Sequence, residues 1–217
     1  MKVMIVSDTI CPWCYVGKRR FERALAARPE ITPEIEWRPF ELNPQMPAEG
    51  LDRKAYMRAK FSGDERADEI YAAIRVAGEG EDIPFAFDDI TRVPNTIAAH
   101  RLIAWAHPRG RQDEMVEALF RAYFLSGKDI GEIDVLAEAA GATGLKKSEA
   151  RAYLASEEGM EETKAEAWEA KRLGISGVPC FVFDGKYAVS GAQEPEVFSQ
   201  VFDLALQPDE ESEAQAL

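Results

Sequence analysis

Two cysteines separated by two residues form the segment of this sequence best suited to covalent chemistry, Cys11-Pro12-Trp13-Cys14. The segment follows an apolar run at 3–6 and precedes a stretch of helical spacing at 15–27. At a helix N-terminus, the unpaired backbone N–H groups and the positive end of the helix dipole favour a thiolate over a thiol. We therefore predict reversible thiol–disulfide exchange, with Cys11 as the exposed nucleophile and Cys14 as the sheltered resolving thiol.

A zinc site would be the other use of two cysteines at this spacing. A structural zinc site needs four ligands, and the remaining cysteine and histidines are Cys180, His100 and His107. The two histidines stand on or near one predicted helix and do not provide the usual ligand spacing. We therefore predict no metal and no bound cofactor. A pair of inert core cysteines is equally disfavoured, because Pro12-Trp13 separates them at a helix start.

The overall charge excludes several kinds of partner. The chain has 217 residues and a formal net charge of −13. Nucleic acids and anionic membranes bind concentrated basic faces, so we predict neither as a partner. No apolar run approaches the ~18 residues of a membrane span, and no signal-like segment precedes the first strand pattern, so we predict a cytoplasmic protein. If the groove around the cysteines is also acidic, it should disfavour acidic substrates.

Hydrophobic periodicity divides the chain into an α/β part that is interrupted by a long helical part. The first strand, helix and strand make a βαβ unit, and the acidic segment 207–217 lacks apolar anchors and is predicted to be disordered. The predicted elements are a strand at 2–6, a helix at 15–27, a strand at 35–38, helices throughout 52–172, strands at 180–183 and 187–189 around an Asp-Gly turn, and a helix near 195–206.

This arrangement resembles the DsbA-like branch of the thioredoxin superfamily, in which a helical domain interrupts a thioredoxin fold. Asp8 stands three residues before Cys11, as at the start of that family's motif, and Gly177-Val178-Pro179 matches the position of its cis-proline. Several segments are similar to the FrnE-like subfamily in particular: 37–44, 95–96, 100–101 and 190–193. The resemblance covers roughly residues 1–206.

The resemblance implies a thioredoxin-like domain at 1–51 and 173–206, with an all-helical insertion domain at 52–172 that forms a lid over the cysteine pair. It implies a thiol–disulfide oxidoreductase or isomerase whose partners are cysteine-containing protein or peptide substrates. Pro179 would be cis, and the backbone of Val178 would pair with an extended substrate chain while the mixed disulfide forms.

Two further residues would support the chemistry of the pair. Asp8 either ends the first strand or carries the proton that Cys14 must lose before it attacks. Trp13 shields one side of the disulfide and lacks the charge of the histidine that strongly oxidising relatives have there. We therefore predict a milder, more reducing potential, compatible with the cytoplasm.

Cys180 departs from the aromatic residue that relatives commonly carry after this proline. Strand alternation leads us to expect that its side chain points away from the face presented by Val178 and into the core. Two interpretations stay open for it. We favour an inert buried thiol, and the alternative is a third redox-active thiol that exchanges with the pair.

The resemblance also suggests Phe40, Asn43 and His100 as substrate-binding residues that line the cleft facing Cys11. Judged from its helical position alone, His100 would be a half-buried polar residue. The neighbouring Arg101 would be solvated or salt-bridged.

A second class of function stays open. The resemblance extends to hydroxychromene-carboxylate isomerases and kappa-class glutathione transferases, which act on small molecules with glutathione. Those enzymes typically carry a serine, or lack the second cysteine, at the position of the pair, so the intact Cys11 and Cys14 favour the dithiol class. Glutathione and other small thiols are candidate redox partners or co-substrates. A redox-inactive binding module is a third interpretation.

Overall fold

The computed structural model describes residues 1–61 and 63–207, so the predicted acidic tail lies outside the described residues from 208 onward. The strands are β1 (Lys2–Ser7), β2 (Glu34–Pro39), β3 (Leu51–Asp52), β4 (Arg92–Val93), β5 (Cys180–Phe183) and β6 (Tyr187–Ser190). The α-helices are α1 (Pro12–Ala26), α2 (Arg53–Phe61), α3 (Asp64–Glu79), α4 (Ile97–Ala106), α5 (Gln112–Phe120), α6 (Ile133–Ala142), α7 (Lys147–Leu154), α8 (Met160–Arg172) and α9 (Pro195–Ala205).

A four-stranded sheet in the order β2-β1-β5-β6 carries the chemistry-bearing segments. β1 pairs in parallel with β2 and antiparallel with β5, which confirms the predicted βαβ unit and the hairpin that follows it. Residues 3–6 of strand β1 are apolar because both faces of the strand are covered there. Val3 and Ile5 join the main core, whereas Val6 joins a small cluster on the other face.

The turn between β5 and β6 has the conformation that its sequence demands. Asp184 and Gly185 both have positive φ angles, 49° and 69°, which is the geometry of a tight hairpin turn. The Asp184 carboxylate also accepts a hydrogen bond of 2.7 Å from the backbone N–H of Lys2. The hairpin is thereby fixed to the start of β1.

The segment between β2 and β5 is predominantly helical, which confirms the predicted α/β fold with a helical insertion. It also contains a short antiparallel ribbon of β3 and β4 that two-residue strands cannot signal by periodicity. The core crosses between the two parts without a break, since the Tyr15 ring on α1 stacks on Phe120 at a centroid distance of 5.0 Å. Within the described residues, no helix is both long and apolar enough to cross a membrane.

Candidate active site

The cysteine pair lies at the N-terminus of α1, as predicted. Cys11 is the residue before the first helical residue, has extended backbone angles, and is followed by Pro12, which is well suited to the first turn because it has no N–H to leave unpaired. The backbone N–H of Cys11 donates to the carbonyl of Asp8 at 3.0 Å, and that of Cys14 donates to the carbonyl of Cys11 at 3.0 Å. These backbone hydrogen bonds fix the turn at 8–14 and thereby keep the side chains of Cys11 and Cys14 close to each other.

The prediction that Cys11 is exposed is wrong. Only 5% of Cys11 is exposed, and Cys14 is fully buried. The Cys11 thiol lies 3.6 Å from the carbonyl oxygen of Val178, to which it donates. The burial arises because helical residues such as Tyr71 and Phe124 surround the cavity beside Cys11, and this long-range packing leaves no trace in the local sequence.

Cys14 has the environment of a resolving thiol. Burial raises its pKa well above the ordinary value, and the hydrogen bond and charge of Cys11 raise it further. The Ser7 side chain and the Asp8 backbone act in the opposite direction. Cys14 therefore stays protonated at neutral pH, and Cys11 is the sulfur that meets a substrate first.

The carboxylate of Asp8 is fully buried and points towards the segment after β2. It accepts a hydrogen bond from the N–H of Leu42 at 2.8 Å, and its other oxygen lies 3.5 Å from Nε2 of His100. A role for Asp8 as carrier of the Cys14 proton stays a hypothesis. Sequence reasoning missed Ser7, whose side chain bonds to Cys14, because a serine at a strand end has no distinctive signal.

Pro179 is preceded by a cis peptide bond, which confirms that prediction. Its ring packs on α1 at Gly17, where the absence of a side chain allows a close approach. Val178 and Gly177 line the cavity beside Cys11. The packing of Gly17 against Pro179 therefore sets the distance between the cysteine helix and the segment opposite it.

Gly17→Ala is expected to destabilise the protein by about 1–3 kcal/mol, because the added carbon would lie 2.8 Å from Cγ of the rigid Pro179 ring. That cost exceeds the ~1 kcal/mol that alanine gains over glycine in a helix. The reaction of Cys11 with a neutral disulfide should slow as Val178 moves away. Urea unfolding and stopped-flow exchange measure the two effects.

The matched control is Gly141→Ala on α6. There the added carbon meets the side chain of Lys147, which is flexible, half-exposed and able to move aside. This variant should lose no stability, should gain up to the ~1 kcal/mol of helix propensity, and should keep the exchange rate of the parent protein. Equal behaviour of the Gly17 and Gly141 variants would contradict the packing argument.

A cavity of about 290 Å³ opens beside Cys11. Its walls are mainly apolar and aromatic, and Pro12 and Trp13 belong to them together with Met57, Phe61, Tyr71, Ile74, Phe87 and Phe124. Its charged lining residues are Arg53 and Lys60, and no carboxylate side chain of the described residues lines it. The condition of an acidic groove, under which acidic substrates would be disfavoured, is therefore not met at this cavity.

Of the suggested substrate-binding residues, the structure places only Val178 at this cavity. Asn43 does not line the cavity itself. It accepts a hydrogen bond of 2.6 Å from the hydroxyl of Tyr56, which does line the cavity. His100 is fully buried, not half-buried. It contacts the carbonyl of Phe40 at 3.1 Å and lines a separate cavity of about 130 Å³ on the other side of Asp8.

Two further expectations are corrected. Arg101 is not solvated; it is 2% exposed and donates hydrogen bonds to backbone carbonyls at the end of α7 and in the following turn. Cys180 is buried, but it does not point away from Val178 into the main core. It lies opposite Val6 across the β1–β5 pair and shares the small cluster of Val6 and Phe40, against which Val178 also packs. The cysteine pair belongs to the main core instead, so we expect no exchange with Cys180.

A model of the DsbA-like thioredoxin domain matches residues 2–203. The chain belongs to the DsbA-like family. This confirms the resemblance and the thioredoxin-like fold with its helical insertion. Membership of this family supports an oxidoreductase at the level of the family.

Solved structures agree with this DsbA-like assignment. A probable DsbA oxidoreductase from Streptomyces coelicolor is 36% identical, with a TM-score of 0.88 over 96% of this chain and 92% of that one. A 2-hydroxychromene-2-carboxylate isomerase has 15% identity and a TM-score of 0.72 over 94% and 95% of the chains. The cytosolic disulfide reductase DsbM from Pseudomonas aeruginosa, solved with GSH, has 17% identity and a TM-score of 0.67 over 95% and 99%. At these low identities the last two share the fold alone.

Proposed function

We propose that this protein exchanges thiols and disulfides through a mixed disulfide on Cys11 that Cys14 resolves. The observation that carries the proposal is the unequal environment of two sulfurs in contact. Cys11 lines a cavity at a helix N-terminus, whereas Cys14 is fully buried with a raised pKa. This is the arrangement that a nucleophile and a resolving thiol require.

The reaction follows from these positions. The Cys11 thiolate attacks one sulfur of a substrate disulfide, whose S–S bond breaks and releases a thiolate. That thiolate takes the proton of Cys14, and the Cys14 thiolate then attacks the sulfur of Cys11. The second substrate thiolate leaves, and two electrons have passed from the dithiol to the substrate. The reverse sequence oxidises a substrate, and release before resolution isomerises one.

The proposed partners are cysteine-containing proteins or peptides and small thiols such as glutathione. The Val178 backbone beside Cys11 supports binding of an extended chain, as at other peptide-binding edges. The apolar Trp13 supplies no positive charge next to Cys11 and supports a mild, reducing potential. We propose the cytoplasm as its compartment, and the likeness to a cytosolic disulfide reductase agrees with this.

A glutathione-dependent isomerase or transferase is the second candidate. It is favoured by the size of the cavity beside Cys11, about 290 Å³, which suits a small molecule better than a protein loop. The fold is also shared with a hydroxychromene-carboxylate isomerase. Such a reaction would use Cys11 or glutathione alone and would not require Cys14.

Equilibration against glutathione, with thiols counted by mass, tests the proposal. Wild type should pass through one two-electron transition between the dithiol and the Cys11–Cys14 disulfide, with a midpoint more reducing than the about −120 mV of the strongest periplasmic oxidants. Cys180→Ser should behave identically, because Cys180 packs in a separate cluster. A stable glutathione adduct on Cys11 without a disulfide would favour the second candidate.

A further inference from the structure

Arg53, the first residue of α2, is a buried positive charge at the cavity beside Cys11. It is 8% exposed, and its guanidinium donates to the carbonyl of Phe87 at 3.2 Å and stacks at 4.8 Å from the ring centre of Tyr71. Among the carboxylates whose side chains the structure describes, none lies within 4.0 Å of it. A buried charge without a counter-ion is unfavourable, so an anionic ligand beside Arg53 would be stabilised.

A comparison with Arg101 makes this lack clear. Arg101 is also buried without a carboxylate, but the carbonyl oxygens of Tyr153, Leu154, Ser156 and Glu158 surround its guanidinium. Arg53 has fewer partners: the carbonyl of Phe87 and the side chain of Tyr71, which itself lines the cavity beside Cys11. A guanidinium has five N–H donors, so donors remain for a ligand in this cavity, although Arg53 also lines a second pocket with Lys54 and Asp88.

Arg53 and Cys11 line the same cavity. Both line the cavity of about 290 Å³, and Tyr71 lies within electrostatic reach of both. Burial raises the pKa of the Tyr71 hydroxyl, the Arg53 charge opposes that rise, and Cys11 adds to it. A molecule bound in the cavity can thus meet the guanidinium and the reactive sulfur together.

The volume and the walls restrict what can enter. A cavity of about 290 Å³ is just below the range for small-ligand pockets, roughly 300–1,000 Å³. Its walls of Ile74, Phe87 and Phe124 require an apolar or aromatic body. The cavity therefore has room for one small organic group with an anionic end, which would meet Arg53, the buried one of the two cationic residues that line it.

We propose that this cavity binds one half of a low-molecular-weight disulfide made from an apolar or aromatic thiol that carries a carboxylate, with the carboxylate paired to Arg53. The inference rests on the proposed dithiol chemistry and names its substrate class. Cys11 attacks the sulfur of the bound half, the other half leaves as a thiolate, and Cys14 then releases the bound half as a second thiolate.

Two aromatic disulfides that differ in charge test the proposal. Dithiobis(nitrobenzoate) carries a carboxylate on each ring, and dithiodipyridine carries none. The reduced protein is mixed with each at pH 8 in a single turnover, and the ratio of the two rates is compared between variants. Arg53→Met should lower this ratio about tenfold or more, because a charged hydrogen-bond pair is lost. The ratio cancels any change in the intrinsic reactivity of Cys11.

Matched variants separate the local contact from general charge. Lys54→Met removes the same charge from the next residue of α2, which is exposed and does not line this cavity, and should leave the ratio unchanged. Arg53→Lys keeps the charge in place and should retain most of the preference. Arg53→Gln, which removes the charge and keeps a polar side chain, replaces Arg53→Met if that variant does not fold. An equal ratio in wild type, Arg53→Met and Arg53→Lys would overturn the proposal.

A binding measurement keeps this inference separate from the proposed function. Phenylpropanoate should protect Cys11 of wild type from iodoacetamide, whereas phenylpropanamide, which has no charge, should protect it at least tenfold more weakly. The difference should vanish in Arg53→Met. Protection without reaction towards either disulfide would refute the dithiol chemistry and keep the anion site. Equal protection by acid and amide would refute the anion site alone.

Discussion

Replacement of Cys14 by serine should stop catalytic turnover and trap the protein as a mixed disulfide on Cys11. The first attack needs Cys11 alone, but the second needs a thiol in contact with it. Well-placed intramolecular groups reach effective molarities of about 10⁵–10⁸ M, which millimolar external thiol cannot match. We therefore expect turnover to fall at least about a thousandfold while the first exchange keeps its rate. Mass spectrometry of quenched samples measures the adduct.

In wild type, the rate at which Cys14 resolves the mixed disulfide should depend on pH. Burial raises the pKa of Cys14, so below that pKa its thiolate fraction, and with it the rate of resolution, should rise about tenfold per pH unit. Cys180→Ser provides the control, since it removes another buried thiol and should accumulate no adduct. Undiminished turnover of Cys14→Ser with glutathione would instead identify a glutathione-dependent isomerase or transferase.

The features that the sequence predicted correctly are those with local causes. Residues 3–6 of the covered strand β1 are an apolar run, the hairpin turn is an Asp-Gly pair, and Pro12 follows a cysteine at the helix start. Each depends on backbone preferences of neighbouring residues. The position of Pro179 came from family resemblance, which adds information that local preferences do not contain.

The features that the sequence did not reveal depend on how the helical part docks. Cys11 is buried because helices distant in the chain surround its cavity, and Arg53 belongs to that cavity although it stands in a polar stretch. The contact between His100 and the Asp8 carboxylate likewise joins α4 to the end of β1. Hydrophobic periodicity does not predict contacts between distant segments. The residues that line the cavity beside Cys11 could therefore be identified only from the structure.

Arg101→Met should destabilise the protein by about 3–5 kcal/mol, the usual result of removing one side of a buried charged network. Arg101 binds the carbonyls at the C-terminus of α7, which have no partner within the helix, and those of the turn before α8. Its charge also compensates the negative end of the α7 dipole. Loss of the guanidinium removes the charged donor from these partly buried carbonyls, although that of Tyr153 keeps the N–H and hydroxyl of Ser156 as partners. Urea unfolding gives the free energy.

Arg109→Met is the matched control, because Arg109 also packs on an aromatic ring and donates to one carbonyl, that of Trp105, but is exposed. Its loss should change stability by no more than about 1 kcal/mol.

The stability of Arg101→Lys should fall between those of Arg101→Met and Arg109→Met, since lysine keeps the charge and lacks the fork that reaches several carbonyls. A stability of Arg101→Met within 1 kcal/mol of the parent would contradict the argument. Because Arg101 does not line the Cys11 cavity, the folded fraction should still exchange disulfides at the wild-type rate, which separates this scaffold residue from Arg53.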